Sequence, residues 1–470
     1  MNCDIAIIGA GPGGLSVASV AAQLGLKVVL VESGKMGGDC LNYGCIPSKS
    51  FIAAAKAAHT FTASNALGIN SIVPPVSFDK VMDHVASVIK KIAIHDSIER
   101  FSKLGVEVIQ GSAQFKDNHS IIVNETLIAA RQFIIATGSS LTIPPIPGLE
   151  STAYLTNETI FNLREKPQHL IVIGAGPIGC ELAQGFHFLG VKVTLLEALT
   201  MMPHDEPDLV TILREKFKAD GISLYEHCKI TQVHTFNDGV DLTIQLNNEE
   251  KVIRGSHLLV ATGRHANVEN LDLENAGINF DAKGIKVNCY MQTSNKKVYA
   301  IGDVTGGLQF THIANYHAGI VIRNAIFKMR AKANNDAAPW VTYTTPELAH
   351  CGMLASNMKE LAPDAQILEL PFTSNDRAQT ELETLGKIKV IVSKKGVVLG
   401  CSILGPQAGE LILPWIMLIK NKNKLRELTD VIIPYPTLNE ISKRVASEYY
   451  ASALFSNKVK MIVSWLKYLG

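Results

Sequence analysis

The sequence predicts an α/β protein in which one strand–turn–helix–strand unit occurs twice, followed by a C-terminal α+β domain. Residues 5–8 and 170–173 are unbroken apolar runs of the kind found in buried parallel strands. Each run leads into a glycine-rich turn, a helical stretch and a second apolar strand that ends in a glutamate. The first glycine and this glutamate are 23 residues apart in both copies (32 − 9 and 197 − 174). This equal spacing indicates a duplicated fold.

Both turns match the pattern G-x-G-x-x-G, with Gly9, Gly11 and Gly14 in the first copy and Gly174, Gly176 and Gly179 in the second. The glycines let the backbone turn tightly and approach a pyrophosphate at the N-terminus of the following helix. The terminal glutamates, Glu32 and Glu197, are placed to accept hydrogen bonds from a ribose. The pattern therefore predicts two Rossmann-like dinucleotide-binding domains and two dinucleotides. The alternative is a duplicated fold in which one site is empty.

A second repeated feature is an apolar strand that ends in Ala-Thr-Gly, with Thr137 and Gly138 in the first copy and Gly263 in the second. The first copy spans 129 residues between its two glycines (138 − 9) and the second spans 89 (263 − 174), so the first carries 40 extra residues (129 − 89). A proline-rich connector at 141–148 and a polar stretch at 331–339 mark boundaries. We predict four segments, at 1–147, 148–267, 268–338 and 339–470.

Charge and cysteine content exclude several classes of protein. The 44 basic and 43 acidic residues give a net charge of +1, which provides no electrostatic basis for nucleic-acid binding. Only one pair of the eight cysteines is close in sequence, whereas a secreted disulfide scaffold would be denser, so we expect a reducing, cytoplasmic compartment. The chain opens directly on a strand, which predicts no signal peptide. The longest apolar run near the C-terminus, 411–419, is too short to span a bilayer.

The close pair is Cys40 and Cys45. On a straight helix, five steps separate two Cα atoms by roughly 8–9 Å, whereas a disulfide tolerates at most about 7 Å. A bridge would therefore need a distorted turn, which Gly44 and Pro47 would permit. A helix N-terminus and the nearby Lys49 would stabilise a thiolate and make a cysteine reactive. The spacing alone does not separate a redox-active pair from two buried structural cysteines.

Residues 37–49 (GGDCLNYGCIPSK) resemble the redox-active helix of the class I pyridine nucleotide-disulfide oxidoreductases, a family that includes dihydrolipoyl dehydrogenase, glutathione reductase and mercuric reductase. Asp39 stands where the family more often has threonine. The resemblance extends over about residues 3–450. It implies that Cys45 faces a flavin and that Cys40 exchanges with substrate.

The same resemblance assigns the cofactors. Gly302 and Asp303 resemble the family's second flavin motif, in which the aspartate holds the ribitol chain, so the first unit would bind FAD and 268–338 would return to it. The second unit would then bind a nicotinamide cofactor. Glu197 suits a free ribose 2′-hydroxyl, and 198–202 hold no arginine or lysine, which favours NADH over NADPH. Glu181 would pair with Lys49 beside the flavin, although a solvated helix glutamate is the alternative.

The C-terminal segment resembles the family's dimerisation domain, which completes the partner's active site and implies a homodimer. Disulfide-reducing members carry histidine before a Pro-Thr pair; here Tyr435 takes that place, while Glu440 is retained. A phenol with a pKa of about 10 is a poor base at neutral pH. Mercuric reductases also place a tyrosine in this region, but no cysteine follows Cys401 to supply their terminal pair. Tyr435 as a mere space-filler, with His312 or His317 as the base, is the alternative.

The predicted function is electron transfer from NAD(P)H through FAD to the Cys40–Cys45 disulfide and on to a thiol-reactive small molecule or metal ion, as in the mercuric reductase branch. A dihydrolipoyl dehydrogenase-like disulfide reductase and a slow redox sensor are the alternatives. We predict no resident metal site.

The last residues predict an amphipathic helix. Its apolar face comprises Phe455, Val459, Ile462, Leu466 and Leu469, spaced four, three, four and three residues apart. Its flanks carry Lys458, Lys460, Lys467, Trp465 and Tyr468. Packing against the dimer and a weak membrane-surface contact through residues 455–470 are both consistent with this pattern.

Overall fold

The computed structural model describes residues 1–236 and 239–468, which form two compact units. The first unit consists of Met1–Asn65, Asn70–Ala198 and Tyr225–Asn334. The second consists of Ala66–Ile69, Leu199–Leu224 and the chain from Asn335 onward. The finer segment boundaries at 147, 267 and 338 stay predictions.

The first segment contains a strand–helix–strand unit and a long helical insertion. Its elements are β1 (Asn2–Ile8), α1 (Pro12–Gln23), β2 (Val28–Glu32), α2 (Gly38–Asn42), α3 (Cys45–Thr62), α4 (Phe78–Ala93), α5 (Ile98–Lys103), β3 (Val106–Gln110), β4 (Ala113–Asp117), β5 (Ser120–Val123), β6 (Thr126–Ile135) and β7 (Ser139–Leu141). Strand β1 runs parallel to both β2 and β6, and its apolar side chains are buried on both faces, as expected of a central parallel strand.

The second segment repeats the strand–helix–strand pattern of the first segment. Its elements are β8 (His169–Ile173), α6 (Pro177–Phe188), β9 (Lys192–Leu196), α7 (Pro207–Asp220), β10 (Ser223–Tyr225), β11 (Lys229–Phe236), β12 (Gly239–Leu246), β13 (Glu249–Gly255), β14 (His257–Val260) and β15 (Arg264–Ala266). One sheet has the order β10-β9-β8-β14, and β11-β12-β13 form an antiparallel sheet. Strand β15 pairs with β7, so the ends of the two Ala-Thr-Gly strands lie side by side.

The chain then returns to the first sheet. Its elements are β16 (Phe280–Asp281), β17 (Gly284–Ile285), β18 (Val298–Ala300) and α8 (Thr311–Val321). Strand β18 lies parallel to β6, which completes a seven-stranded sheet of order β3-β2-β1-β6-β5-β4 with β18 beside β6. Since β1 and β18 both flank β6, the loops after these strands open at the same edge of the sheet.

The C-terminal segment is a helix-covered antiparallel sheet of order β19-β20-β23-β22-β21. Its elements are β19 (Pro339–Thr342), β20 (Glu347–Gly352), α9 (Ala355–Leu361), β21 (Gln366–Pro371), α10 (Asp376–Glu381), β22 (Lys387–Val392), β23 (Val398–Gly405), α11 (Ala408–Leu411), α12 (Leu413–Lys420), α13 (Arg426–Thr429), α14 (Glu440–Leu454) and α15 (Asn457–Leu466). Its core includes the fully buried Trp415 and Phe372. Among the described residues, no helix is long and apolar enough to cross a membrane.

Candidate active site

The two glycine-rich turns have the same backbone geometry. In both turns the backbone approaches a neighbouring strand too closely to leave room for a side chain. Gly9 and Gly174 both have φ of +105°. An added Cβ would lie 2.3 Å from the Ala136 carbonyl oxygen at Gly9, and 2.4 Å from the Ala261 carbonyl oxygen at Gly174. Each turn is therefore held tightly against the end of the neighbouring parallel strand.

The third glycine of each turn permits close packing of the following helix. A Cβ at Gly14 would lie 2.0 Å from the Gly9 carbonyl oxygen, and one at Gly179 would lie 1.9 Å from the Gly174 carbonyl oxygen. The middle glycine differs, because a Cβ at Gly11 would meet nothing within 4 Å. Gly11 is the N-cap of α1, and no side chain caps this helix. The same holds for Gly176 at α6. These open, uncapped helix N-termini fit two dinucleotide pyrophosphates.

The glutamate at the end of β2 and the one directly after β9 fix these turns. Glu32 accepts a hydrogen bond at Oε2 from the Ala10 amide (2.6 Å), and Glu197 accepts one at Oε2 from the Ala175 amide (2.7 Å). Glu32 also accepts one from the Gly34 amide at Oε1 (2.6 Å). Each carboxylate is thus fixed beside its glycine turn, and the contact with a ribose stays a prediction.

Asp303 lies in a hydrogen-bonded chain that the sequence did not reveal. Ser139 Oγ donates to Asp303 Oδ2 at 2.6 Å, and Arg264 Nε donates to Ser139 Oγ at 2.8 Å. Burial raises the pKa of the Asp303 carboxyl, while the hydrogen bond from Ser139 opposes this rise. Thr137, predicted to bind cofactor, donates its hydroxyl to the Asn267 carbonyl oxygen at 2.8 Å. These contacts join the ends of the two Ala-Thr-Gly strands at the edge where Gly138 and Gly263 lie.

The two predicted redox cysteines lie on different helices. Helix α2 ends at Asn42, Gly44 is non-helical (φ −113°, ψ −108°), and α3 begins at Cys45. A Cβ at Gly44 would lie 3.3 Å from the Cys40 Cα, so glycine permits the close approach. The expected distortion is therefore located at Gly44, and both cysteines are reduced thiols in this structure.

Of the two cysteines, Cys45 has the lowered pKa and Cys40 the raised one. A hydrogen bond from Cys40 lowers the pKa of the Cys45 thiol to about 6, aided by the Thr311 hydroxyl and the charge of Lys49 and opposed by burial. Thr311 Oγ1 lies 3.5 Å from Cys45 Sγ. The pKa of Cys40 is raised, because its proton is shared with Cys45 and because it is partly buried. The two thiols thus hold one proton between them, with the thiolate on Cys45 at the start of α3.

Lys49 and Glu181 meet across α3 and α6. Lys49 Nζ lies 2.7 Å from Glu181 Oε2, and the Glu181 side chain is only 5% exposed while that of Lys49 is 38% exposed. The alternative of a solvated helix glutamate is therefore wrong. The helices pack closely because Gly185, one turn after Glu181, accommodates Phe51; a Cβ there would lie 2.8 Å from the ring.

Tyr435 belongs to a polar cluster in the second of the two compact units, within the C-terminal segment. This tyrosine is 70% exposed. Its hydroxyl donates to Asp376 Oδ2 at 3.3 Å, and Arg444 Nη2 donates to the same oxygen at 3.1 Å. Glu440 instead accepts a hydrogen bond from the Thr437 amide at 3.4 Å. Sequence reasoning missed Asp376 and Arg444; Arg444 follows Glu440 by one helical turn, which was the only available signal.

Two further side chains define the surroundings of these sites. Asn375 is fully buried and donates to the carbonyl oxygens of Thr437 (3.2 Å) and Leu438 (3.3 Å), which fixes the loop after Tyr435 to the start of α10.

His317, considered as a substitute base, is buried and accepts a hydrogen bond at Nδ1 from the Gly302 amide at 3.3 Å. Burial lowers its pKa, so this ring supports the Gly302 turn.

Two glycine-rich turns that fit dinucleotides lie in the same chain as a thiol pair with one stabilised thiolate. This combination is typical of an oxidoreductase that uses two dinucleotides and a thiol–disulfide pair. A family model described as pyridine nucleotide-disulphide oxidoreductase matches residues 3–318, and the dimerisation-domain model of the same family matches residues 338–446. The chain therefore belongs to the pyridine nucleotide-disulphide oxidoreductase family.

Several relatives match over nearly the whole chain. A mercuric reductase of Staphylococcus aureus is 34% identical over 446 residues, which cover 94% of this chain and 82% of that protein. A dihydrolipoyl dehydrogenase of Geobacillus stearothermophilus is 34% identical over 457 residues, covering 95% and 96%. The Cu(II) complex of the HOCl-induced flavoprotein disulfide reductase RclA from Escherichia coli superposes with a TM-score of 0.86 at 28% identity, covering 95% and 99%.

Family membership confirms the predicted fold and cofactor classes. The protein is a flavoprotein oxidoreductase that uses FAD with NAD(P)H as the electron donor. The glycine turns described above fit these two dinucleotides. The dimerisation-domain match supports a homodimer.

Proposed function

We propose that the protein passes electrons from NADH through FAD to the Cys40–Cys45 pair and on to a soft, thiol-reactive metal ion such as mercuric ion. The observation that carries this proposal is the thiol pair, in which Cys40 shares its proton and lowers the pKa of Cys45 to about 6. Thiolates are the ligands that soft metal ions prefer. A pair that already holds one thiolate near neutral pH is suited to bind and reduce such an ion.

Each residue of the pair has a separate task. Bound FAD supplies the chemistry that links a hydride donor to a thiol pair. Cys45 holds the negative charge at the N-terminus of α3, where the helix dipole and Lys49 stabilise it. Cys40 holds the proton and is the sulfur that exchanges with the acceptor. The ion pair with Glu181 holds the Lys49 ammonium group on the side of α3 that faces α6.

NADH is the proposed donor because of the residues after β9. Glu197 is fixed against the second glycine turn, so its negative charge would repel the 2′-phosphate of NADPH. The residues at 198–202 contain no arginine or lysine to bind that phosphate. We also propose a cytoplasmic location, on the basis of the sparse cysteine pattern.

The choice of a metal ion over a disulfide depends on Tyr435, which takes the place of the family's histidine base. Its hydroxyl donates to Asp376 Oδ2, so this position offers a phenol hydroxyl instead of an imidazole. Reduction of a disulfide releases a thiolate that must gain a proton, and an imidazole that exchanges protons near neutral pH serves this step better than a phenol. Binding of a metal ion by thiolates releases no such leaving group.

Disulfide reduction is the second candidate, because a dihydrolipoyl dehydrogenase is equally similar. An acceptor panel separates the two. We expect wild type to turn over mercuric ion in excess thiol faster than lipoamide or oxidised glutathione. Tyr435→His is expected to raise lipoamide turnover about tenfold or more by restoring an imidazole that can protonate the leaving thiolate, whereas Tyr435→Phe, the matched control, is not.

The proposal has a clear counter-result. Steady-state NADH oxidation by wild type with a disulfide at tens per second or more, the rate of a typical enzyme, would show that the missing histidine is not limiting. Rapid turnover with any of these acceptors would also exclude a slow redox sensor.

A further inference from the structure

The last described helix, α15 (Asn457–Leu466), has no buried residue. Val459 is half-buried and every other residue of the helix is exposed. Trp465 is 62% exposed, and Tyr468 just beyond the helix is 87% exposed. The helix is a separate element, because α14 ends at Leu454 and Ser456 Oγ accepts a hydrogen bond from the Val459 amide to cap the new helix. The predicted amphipathic helix therefore begins at Asn457, so Phe455 is not part of it, and Leu469 lies outside the described residues.

The exposed surface of α15 combines a row of apolar residues with lysines on its flanks. Val459, Ile462 and Leu466 recur at steps of three and four, which places them on one side of the helix. With 3.6 residues per turn, Lys460 and Lys467 fall on the flank of this apolar row. The sequence from 455 to 470 contains three lysines and no aspartate or glutamate. This segment is therefore purely cationic, although the whole chain is nearly neutral.

The family's dimerisation-domain model does not extend to this helix. The dimerisation-domain match ends at residue 446, which is 11 residues before α15 begins (457 − 446). The apolar face is thus an addition to the shared domain. Aromatic side chains at its end, Trp465 and Tyr468, are the types enriched at membrane–water interfaces.

We propose that α15 binds the surface of a bilayer that contains anionic lipid. A helix of 10 residues is about 15 Å long and would lie in the interface plane. Val459, Ile462 and Leu466 would enter the boundary between headgroups and acyl chains, while the lysines would contact anionic headgroups. A homodimer would present two such helices, so binding of one helix would favour binding of the other.

The test is flotation of the FAD-loaded full-length protein with vesicles of phosphatidylcholine, with and without phosphatidylglycerol. We expect wild type to float only with the anionic vesicles, and added salt to weaken binding. Ile462→Asp and a chain lacking residues 456–470 are expected to stay in solution. The triple variant Lys458→Gln/Lys460→Gln/Lys467→Gln should bind about a hundredfold more weakly, because each lysine near an anionic surface contributes about 1 kcal/mol. The matched control replaces three exposed lysines elsewhere in this unit, Lys394, Lys395 and Lys422, by glutamine and should bind like wild type.

Two results would overturn the proposal. One is equal flotation of the full-length and shortened proteins. The other is conversion of the shortened protein to a monomer in light scattering, which would identify α15 as a dimer contact. NADH oxidation in solution should be the same for all of these variants, because α15 lies outside the proposed catalytic residues.

Discussion

Replacement of Cys45 by serine is expected to lower acceptor turnover about a thousandfold or more, as loss of a reacting nucleophile does in other enzymes. Cys45 carries the thiolate of the pair, and a serine hydroxyl cannot replace it near neutral pH. Reduction of the flavin by NADH should persist, because it precedes the thiol step. The long-wavelength absorbance that a thiolate beside oxidised flavin produces should be absent.

Cys40→Ser is the matched variant. It should lose acceptor turnover to a similar degree, because no disulfide can form. It should nevertheless keep the long-wavelength band, since a serine hydroxyl can still donate a hydrogen bond to Cys45 and support its thiolate. The opposite pattern of bands in the two variants would mean that the roles of Cys40 and Cys45 are exchanged.

Replacement of Lys49 by methionine is expected to slow flavin reduction by NADH about 100-fold, the size of effect seen when a fixed electrostatic group is removed from a reacting centre. It should also lower Tm by several degrees, because Glu181 would keep its buried charge without this lysine. We expect a loss of about 2–3 kcal/mol in the free energy of unfolding, less than for a fully buried pair because Lys49 is partly exposed.

The double variant Lys49→Met/Glu181→Gln separates the two effects. Removal of both charges should restore most of the Tm, since no buried charge is left, whereas flavin reduction should stay slow. Stopped-flow reduction and thermal unfolding measure these quantities. Recovery of the fast rate in the double variant would contradict an electrostatic role for Lys49.

Sequence reasoning identified the features that depend on local backbone sterics. Gly9 and Gly174 are recognisable because only glycine tolerates their φ of +105° and their contact with the next strand. The break at Gly44 was also predictable, since five helical steps hold two cysteines too far apart for a disulfide.

Contacts between distant segments were not predictable from local patterns. The Arg264–Ser139–Asp303 chain forms because β15 pairs with β7 and β18 with β6. In the second unit, Lys389 on β22 pairs with Glu206 and Asp208 at the start of α7, at a sequence separation of 183 and 181 residues. The Lys49–Glu181 pair was expected only through the family resemblance, because no periodicity links residues 132 apart.

The most direct test of the account is anaerobic addition of one equivalent of NADH to the FAD-loaded wild type. Electrons should reach the thiol pair, so the flavin should stay oxidised, a long-wavelength band should appear, and Cys40 should become reactive to alkylation. Because the hydrogen bond from Cys40 lowers the pKa of Cys45 to about 6, this band should persist above that pH and fade as the pH falls through it. Bleaching of the flavin with no band and no newly alkylated cysteine would contradict electron transfer to the Cys40–Cys45 pair.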